Sequence, residues 1–264
     1  MTTHDLIAMK RAGRKIAMLT AYDALFGALV DSAGVDVILV GDSVAPVIAG
    51  EETTIPATME QMIYHGRIVH RGVKHALVVV DLPFLSYQVS IPDAIANAGR
   101  ILKETGAQAV KLEGGADWAS TIAALVRCGI PVMGHLGFTP QSINQLGGFK
   151  IQGKQPDAAA RLVEDAQALE EAGAFSIVLE LIPATVAQQI SEAVLIPTIG
   201  IGAGPHCDGQ VLVLHDMLGL NEGFTPRFLR RYAELGQATR DAVGRFCAKN
   251  REGRYPAPEH THGG

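Results

Sequence analysis

Cysteine is scarce in this chain of 264 residues, and the three present do not suggest pairing. Cys128, Cys207 and Cys247 are odd in number, far apart and outside any C-x-x-C spacing. That argues against a disulfide framework or a cysteine-rich zinc site, and it fits a reducing compartment such as the cytoplasm. Aromatic residues are few as well, at 5% with a single Trp, which disfavours a large aromatic-packed sandwich. Long basic runs are missing too. The formal net charge is -5, so a Lys/Arg face for nucleic acid is not expected and small molecules are the more natural partners. Long apolar runs are absent: no stretch of about 18 uncharged apolar residues, the length a membrane span needs, occurs. The opening stretch "MTTHDLIAMKRAGRKIAML" scatters its charges among apolar residues and does not read as a secretory signal.

What is present is a 48% hydrophobic chain with 29 glycines, enough to bury a substantial core. Short runs rich in Val, Ile and Leu recur at 15–20, 35–40, 76–80, 109–113, 131–135, 176–180, 197–201 and 210–214. They show little period-two alternation, as expected of parallel strands covered on both faces. Between most of them lie amphipathic segments such as 23–34 and 157–174, each with an acidic start, three-to-four apolar spacing and a Gly near its end. Eight strands interleaved with helices predict an α/β fold, a single-domain (β/α)8 TIM barrel, for which about 250 residues is typical. An open doubly wound sheet is the alternative. It is disfavoured because chemistry-bearing residues follow nearly every strand rather than gathering at one switch point.

Four segments stand outside this pattern. The link "GAGPHCDG" at 202–209 is too short for a full crossover helix. With the residues before it, it forms the Gly-rich "GIGAGP" (200–205), readable as a weak phosphate cradle or as a tight turn. The stretch 134–154 is long, polar and Gly-rich for a βα loop, a length usual for functional loops. Residues 225–249 read as one or two terminal helices that complete a catalytic domain over 1–249. Residues 250–264 read as a flexible solvated tail whose His260 and His262 are ordinary tail residues.

Four of the runs end on a carboxylate. In a barrel, the C-terminal ends of the strands converge on one mouth, so Asp42, Asp81, Glu113 and Glu180 would share a cavity. Each Asp alone could be only a helix N-cap or an Asx turn. Three acids crowded together raise one another's pKa unless a cation joins them. Oxygen-only donors favour a hard divalent ion such as Mg²⁺, which keeps positions open for substrate oxygens. Lys111 projects to the same side as Glu113 and would hold a substrate carboxylate or a developing oxyanion, or else balance a neighbouring acid. His135 closes the fifth strand and is either a substrate contact or a structural histidine. Glu180 lies between Leu179 and Leu181, and apolar surroundings would raise its pKa towards that of a general base. A metal cluster with a separate base suggests proton abstraction beside a carbonyl, with the enolate held by the metal.

These motifs, from "MLTAYDALFGALVDSAGVDVILVGDS" through "TMEQMIYHGRIVHRG", "VVVDLPF", "AVKLEGG", "IPVMGHLGFTPQS" and "LELIP" to "TIGIGAGPHCDGQVLVLHDMLG", closely resemble the ketopantoate hydroxymethyltransferase family. The resemblance covers nearly all of the chain except the tail. It implies a (β/α)8 enzyme of pantothenate biosynthesis that transfers a one-carbon unit from 5,10-methylenetetrahydrofolate to 3-methyl-2-oxobutanoate with Mg²⁺. Matched motif by motif, it implies Asp42, Asp81 and Glu113 as metal ligands and Glu180 as the proton acceptor. It also implies Ser43, Asp81 and Lys111 as oxoacid contacts, with Asp42 beside them and His135 in support, and a homo-oligomer that is often a decamer. Two rivals remain at this point. One is a metal-dependent lyase of the isocitrate lyase and phosphoenolpyruvate mutase type, disfavoured because no Cys lies in 134–154; the other is a non-catalytic ligand-binding barrel.

Overall fold

A computed structural model of the protein describes residues 1–262. The last two residues of the segment predicted as a tail, 263 and 264, lie outside the described residues. All eight predicted strands form: β1 (Ile16–Thr20), β2 (Val37–Val40), β3 (Leu77–Asp81), β4 (Ala109–Lys111), β5 (Val132–Gly137), β6 (Ser176–Glu180), β7 (Thr198–Ile201) and β8 (Gly209–Leu212). They pair in parallel and in chain order, and β8 returns to β1 to close the barrel. The fold is the predicted (β/α)8 barrel. Two strands stop short of the sequence reading. β4 stops at Lys111, so Glu113 stands just beyond the ladder, and Leu214 opens a short helix instead of ending β8.

The helices are α1 (Thr3–Arg11), α2 (Ala24–Ser32), α3 (Met59–Gly72), α4 (Ile91–Thr105), α5 (Ala119–Arg127), α6 (Ile143–Leu146), α7 (Pro156–Glu171), α8 (Ala184–Ala193), α9 (Leu214–Met217) and α10 (Leu235–Arg251). Their starts follow local chemistry. Asp23 accepts the Phe26 N–H at the head of α2, and Thr58 and Gln61 form a reciprocal capping box on α3. Helix α1 has a different job from the crossover helices. Its Leu6 and Met9 join the barrel interior with Met18, Val37, Val79, Met133 and Ile199. Lys10 on the same helix reaches the Ser191 and Ile196 carbonyls and pairs with Asp208 at 2.9 Å. Those partners precede β7 and β8, so α1 plugs the end of the barrel where the strands begin.

Between β7 and β8 no helix forms. Gly202 and Gly204 take positive φ and turn the chain in a few residues, and the Gly204 carbonyl accepts from Gln210. The segment 134–154 is not structureless. β5 runs on to Gly137, a 3₁₀ turn spans Pro140–Ser142, and α6 follows.

Met1–Val213 forms one compact unit and the chain from Leu214 forms a second. In the second unit the sequence predicts one or two helices over 225–249, and a single one, α10, forms. Within the unit, Arg240 pairs with Glu222 at 2.7 Å, and Tyr255 packs edge-on against Phe246.

Candidate active site

Side-chain alternation along the strands explains where the polar groups sit. Leu77 and Val79 of β3, Ala109 of β4, Met133 of β5 and Val178 of β6 face the barrel interior as apolar layers. The next residues of the same parity are Asp81, Lys111, His135 and Glu180. The apolar interior therefore ends in a charged layer at the C-terminal mouth. Asp42, Asp81, Lys111, Glu113 and His135 are all buried there.

Asp81 and Lys111 are partners across β3 and β4, with Lys111 Nζ 2.7 Å from Asp81 Oδ1. The other Asp81 oxygen accepts the backbone N–H of Asp42 at 3.0 Å. His135 stands between two more acids, its Nδ1 3.4 Å from Glu113 Oε1 and its Nε2 3.2 Å from Glu180 Oε2. Ser43 lies to one side, its hydroxyl 2.8 Å from that of Tyr22. A Cβ on Gly41 would sit 2.6 Å from Ser43 Oγ, so any larger residue there would have to displace the Ser43 hydroxyl.

The sequence reading expects apolar surroundings for Glu180. In space its neighbour is an imidazole, because alternation turns Leu179 towards the helices, where it is fully buried. Apolar neighbours in sequence are not neighbours across a strand.

The charges shape one another. Burial disfavours the imidazolium of His135, and Lys111 does too, yet hydrogen bonds to Glu113 and Glu180 and the Glu113 charge prevail, so its pKa is pushed up to about 9. Burial would likewise discharge Lys111, but Asp81, Glu113 and Asp42 hold its ammonium above the ordinary range. Asp42 goes the other way. Burial, then repulsion from Asp81 and Glu113, keeps its carboxyl well above the usual carboxylate range despite Lys111 and Gln141.

Four carboxylates thus face two cations, an excess of two negative charges when all are ionised. Among the described residues no Lys, Arg or His nitrogen forms an ion pair with Asp42. The donor chemistry fits a hard divalent cation. Among the described residues no three acids, thiols or imidazoles converge as a ready-made cage. Asp42 and Asp81 still offer the one or two carboxylates that a hard ion such as Mg²⁺ takes from a protein.

Two site residues carry no signal in the sequence. Gln141 donates from its backbone N–H to Glu113 Oε2 at 3.0 Å and from Nε2 to Asp42 Oδ2 at 2.9 Å. The Tyr87 hydroxyl accepts the Glu113 N–H at 3.2 Å and lies 2.9 Å from the Glu113 carbonyl. Neutral residues in loops are not distinguishable from spacers until the fold folds them inwards.

The family model described as ketopantoate hydroxymethyltransferase matches residues 1–258. The chain belongs to the ketopantoate hydroxymethyltransferase family. A 3-methyl-2-oxobutanoate hydroxymethyltransferase of Syntrophotalea carbinolica is 55% identical over 260 residues, covering 98% of this chain and 97% of that protein. Ketopantoate hydroxymethyltransferase membership makes the chain an enzyme, a transferase of pantothenate biosynthesis. The barrel itself is shared more widely. A phosphonopyruvate hydrolase structure superposes with a TM-score of 0.65 at 14% identity, covering 100% of this chain and 92% of that one. A 2,3-dimethylmalate lyase of the PEP mutase/isocitrate lyase superfamily gives 0.60 at 16%, covering 98% and 91%. At such identities the likeness is one of fold alone.

Proposed function

We propose that this enzyme transfers a hydroxymethyl group from 5,10-methylenetetrahydrofolate to 3-methyl-2-oxobutanoate, giving 2-dehydropantoate and tetrahydrofolate. The observation that carries the reading is the charged layer at the barrel mouth, four carboxylates against two cations, in a chain of this family. Glu180 removes the C3 proton of the oxoacid. The carbanion forms the new C–C bond to the one-carbon unit as both of its C–N bonds to the folate break; water gives its OH to that carbon, and the two freed folate nitrogens take up the C3 proton from Glu180 and the remaining proton of the water, leaving tetrahydrofolate. Lys111, fixed by Asp81, presents a point charge to the oxoacid carboxylate, and the Ser43 hydroxyl adds a hydrogen bond. His135 holds Glu180 in place and takes up part of the charge as the proton moves. Mg²⁺ at Asp42 and Asp81, with Glu113 close by, would supply Lewis-acid stabilisation of charge on the oxoacid oxygens.

Support for oxoacid binding at this end comes from the positions of Asp81, Lys111 and Glu180 on three strand ends of one mouth. We extend the proposal to a cytoplasmic homo-oligomer, a decamer on the family resemblance, which light scattering after gel filtration tests by a mass ten times that of the chain.

The chemistry is tested by incubating protein, Mg²⁺ and 3-methyl-2-oxobutanoate in deuterated water without folate and following the C3 proton by NMR. Exchange is expected, is lost with EDTA and falls at least about a hundredfold in Glu180→Gln. Unchanged exchange in that variant removes Glu180 as the base. Absence of exchange in the wild type, and of product when the folate is added, overturns the transferase reading in favour of a binding barrel.

A further inference from the structure

Gln141 is buried in the 3₁₀ turn after β5, and its side chain uses every hydrogen-bonding capacity it has. Nε2 donates to Asp42 Oδ2 at 2.9 Å and to the Leu82 carbonyl at 2.9 Å. Oε1 accepts from Gln88 Nε2 at 3.1 Å and lies 3.0 Å from the Tyr87 hydroxyl, whose one proton it shares with the Glu113 carbonyl. Two donors and two lone pairs are all an amide possesses. Its orientation is fixed by chemistry, because the Leu82 carbonyl can only accept. Turning the amide over would set an oxygen against both that carbonyl and the Asp42 carboxylate.

The partner so held is the acid with no ion pair. Lys111 serves Asp81, and His135 serves Glu113 and Glu180, while Asp42 receives a neutral donor. Neutrality matters. A lysine or arginine at 141 would cancel the charge of Asp42, and a carboxylate would add a fifth negative group to the mouth. An amide fixes one oxygen of Asp42 and leaves the charge in place for a ligand. The backbone N–H of Gln141 meanwhile binds Glu113, so one residue of the loop ties two acids that follow different strands.

We propose that Gln141 is a positioning residue for the transferase reaction: it clamps Asp42 by one oxygen so that the other faces the 2-oxoacid and Mg²⁺. This rests on the role given to Asp42 under the proposed function. It also makes the Pro140–Ser142 turn a fixed wall of the site rather than a lid.

The test uses the full chain with two variants of similar side-chain size, Gln141→Met and Gln141→Glu. Calorimetric titration of 3-methyl-2-oxobutanoate in the presence of Mg²⁺ and without folate is the first readout. Gln141→Met is expected to raise the dissociation constant on the order of tenfold or more, and Gln141→Glu further, although it preserves shape. Steady-state kinetics are the second readout, with KM for the oxoacid rising in parallel and KM for methylenetetrahydrofolate within about twofold of the wild type. A merely structural role would lower the melting temperature and leave that contrast between co-substrates absent. If both variants are unstable, Tyr87→Phe removes one hold on Oε1 and is expected to give a smaller rise of the same selectivity. Oxoacid binding and both KM values within about twofold of the wild type, or equal losses for both co-substrates, overturn the proposal. Wild-type binding is the control: if the wild type binds no oxoacid, the functional reading falls and this proposal with it, whereas normal wild-type binding with unaffected variants sinks the Gln141 role alone.

Discussion

His135 is the residue on which two carboxylates lean. Both ring nitrogens face acids, so the doubly protonated ring is the favoured form, with a pKa near 9 against about 6.5 in an unfolded chain. A raised pKa contributes stability that is complete below about pH 6.5 and is lost as pH climbs through about 9. Asp42, also raised, acts in the same direction from a lower pH. In EDTA, the urea midpoint is therefore expected to fall between pH 6.5 and 9, by up to about 3 kcal/mol in stability, and His135→Gln should flatten that slope. A midpoint that rises over this range would contradict the imidazolium assignment. Strand-end position made His135, Asp81 and Glu180 legible as site candidates in the sequence. Which acid meets which cation was not legible, because those pairings join strands whose register only the folded barrel sets.

Elements were legible where the physics is local. Apolar runs marked all eight strands, and caps such as Asp23 and Thr58 mark helix starts. The β7–β8 link escaped the rule that parallel neighbours need a long crossover, because two positive-φ glycines turn it without a helix. The consequence shows on the outer wall. β2 and β3 are buried on both faces, whereas Gln210 of β8 and its register partner Ala17 of β1 are exposed. Another glycine fixes the position of Glu180. Gly137 ends β5 with φ +94°, and a Cβ there would lie 2.2 Å from the Glu180 carbonyl oxygen. Gly137→Ala should lower stability by about 2–4 kcal/mol and abolish C3 exchange by displacing Glu180. Gly148→Ala, at φ +99° but with nothing within 4 Å, should cost only about 1 kcal/mol and keep exchange. Equal effects in thermal melts would remove the contact argument.

At the scale of the molecule, folding gathers four acids and two cations into one layer, a net repulsion that a bound divalent cation would relieve. Mg²⁺ with the oxoacid, at roughly a hundred times the dissociation constant, should add about 2.7 kcal/mol and raise Tm by roughly 5–10 °C, reversibly with EDTA. Sodium at equal ionic strength should not. Fold and family were readable from strand periodicity and motif order. Glu113 and Gln141, from different loops, become neighbours only when the barrel closes.

The plug formed by α1 has a kinetic consequence. With Leu6 and Met9 filling one end of the barrel, the charged layer lies towards the other, which on the proposed chemistry is the way in and out. On the proposed chemistry, the small oxoacid lies at the floor on Lys111 and the bulky folate must rest above it. Loading is then ordered, oxoacid before folate, and tetrahydrofolate departs before the new hydroxyacid can escape. Excess folate, arriving first, would stopper the vessel and slow turnover.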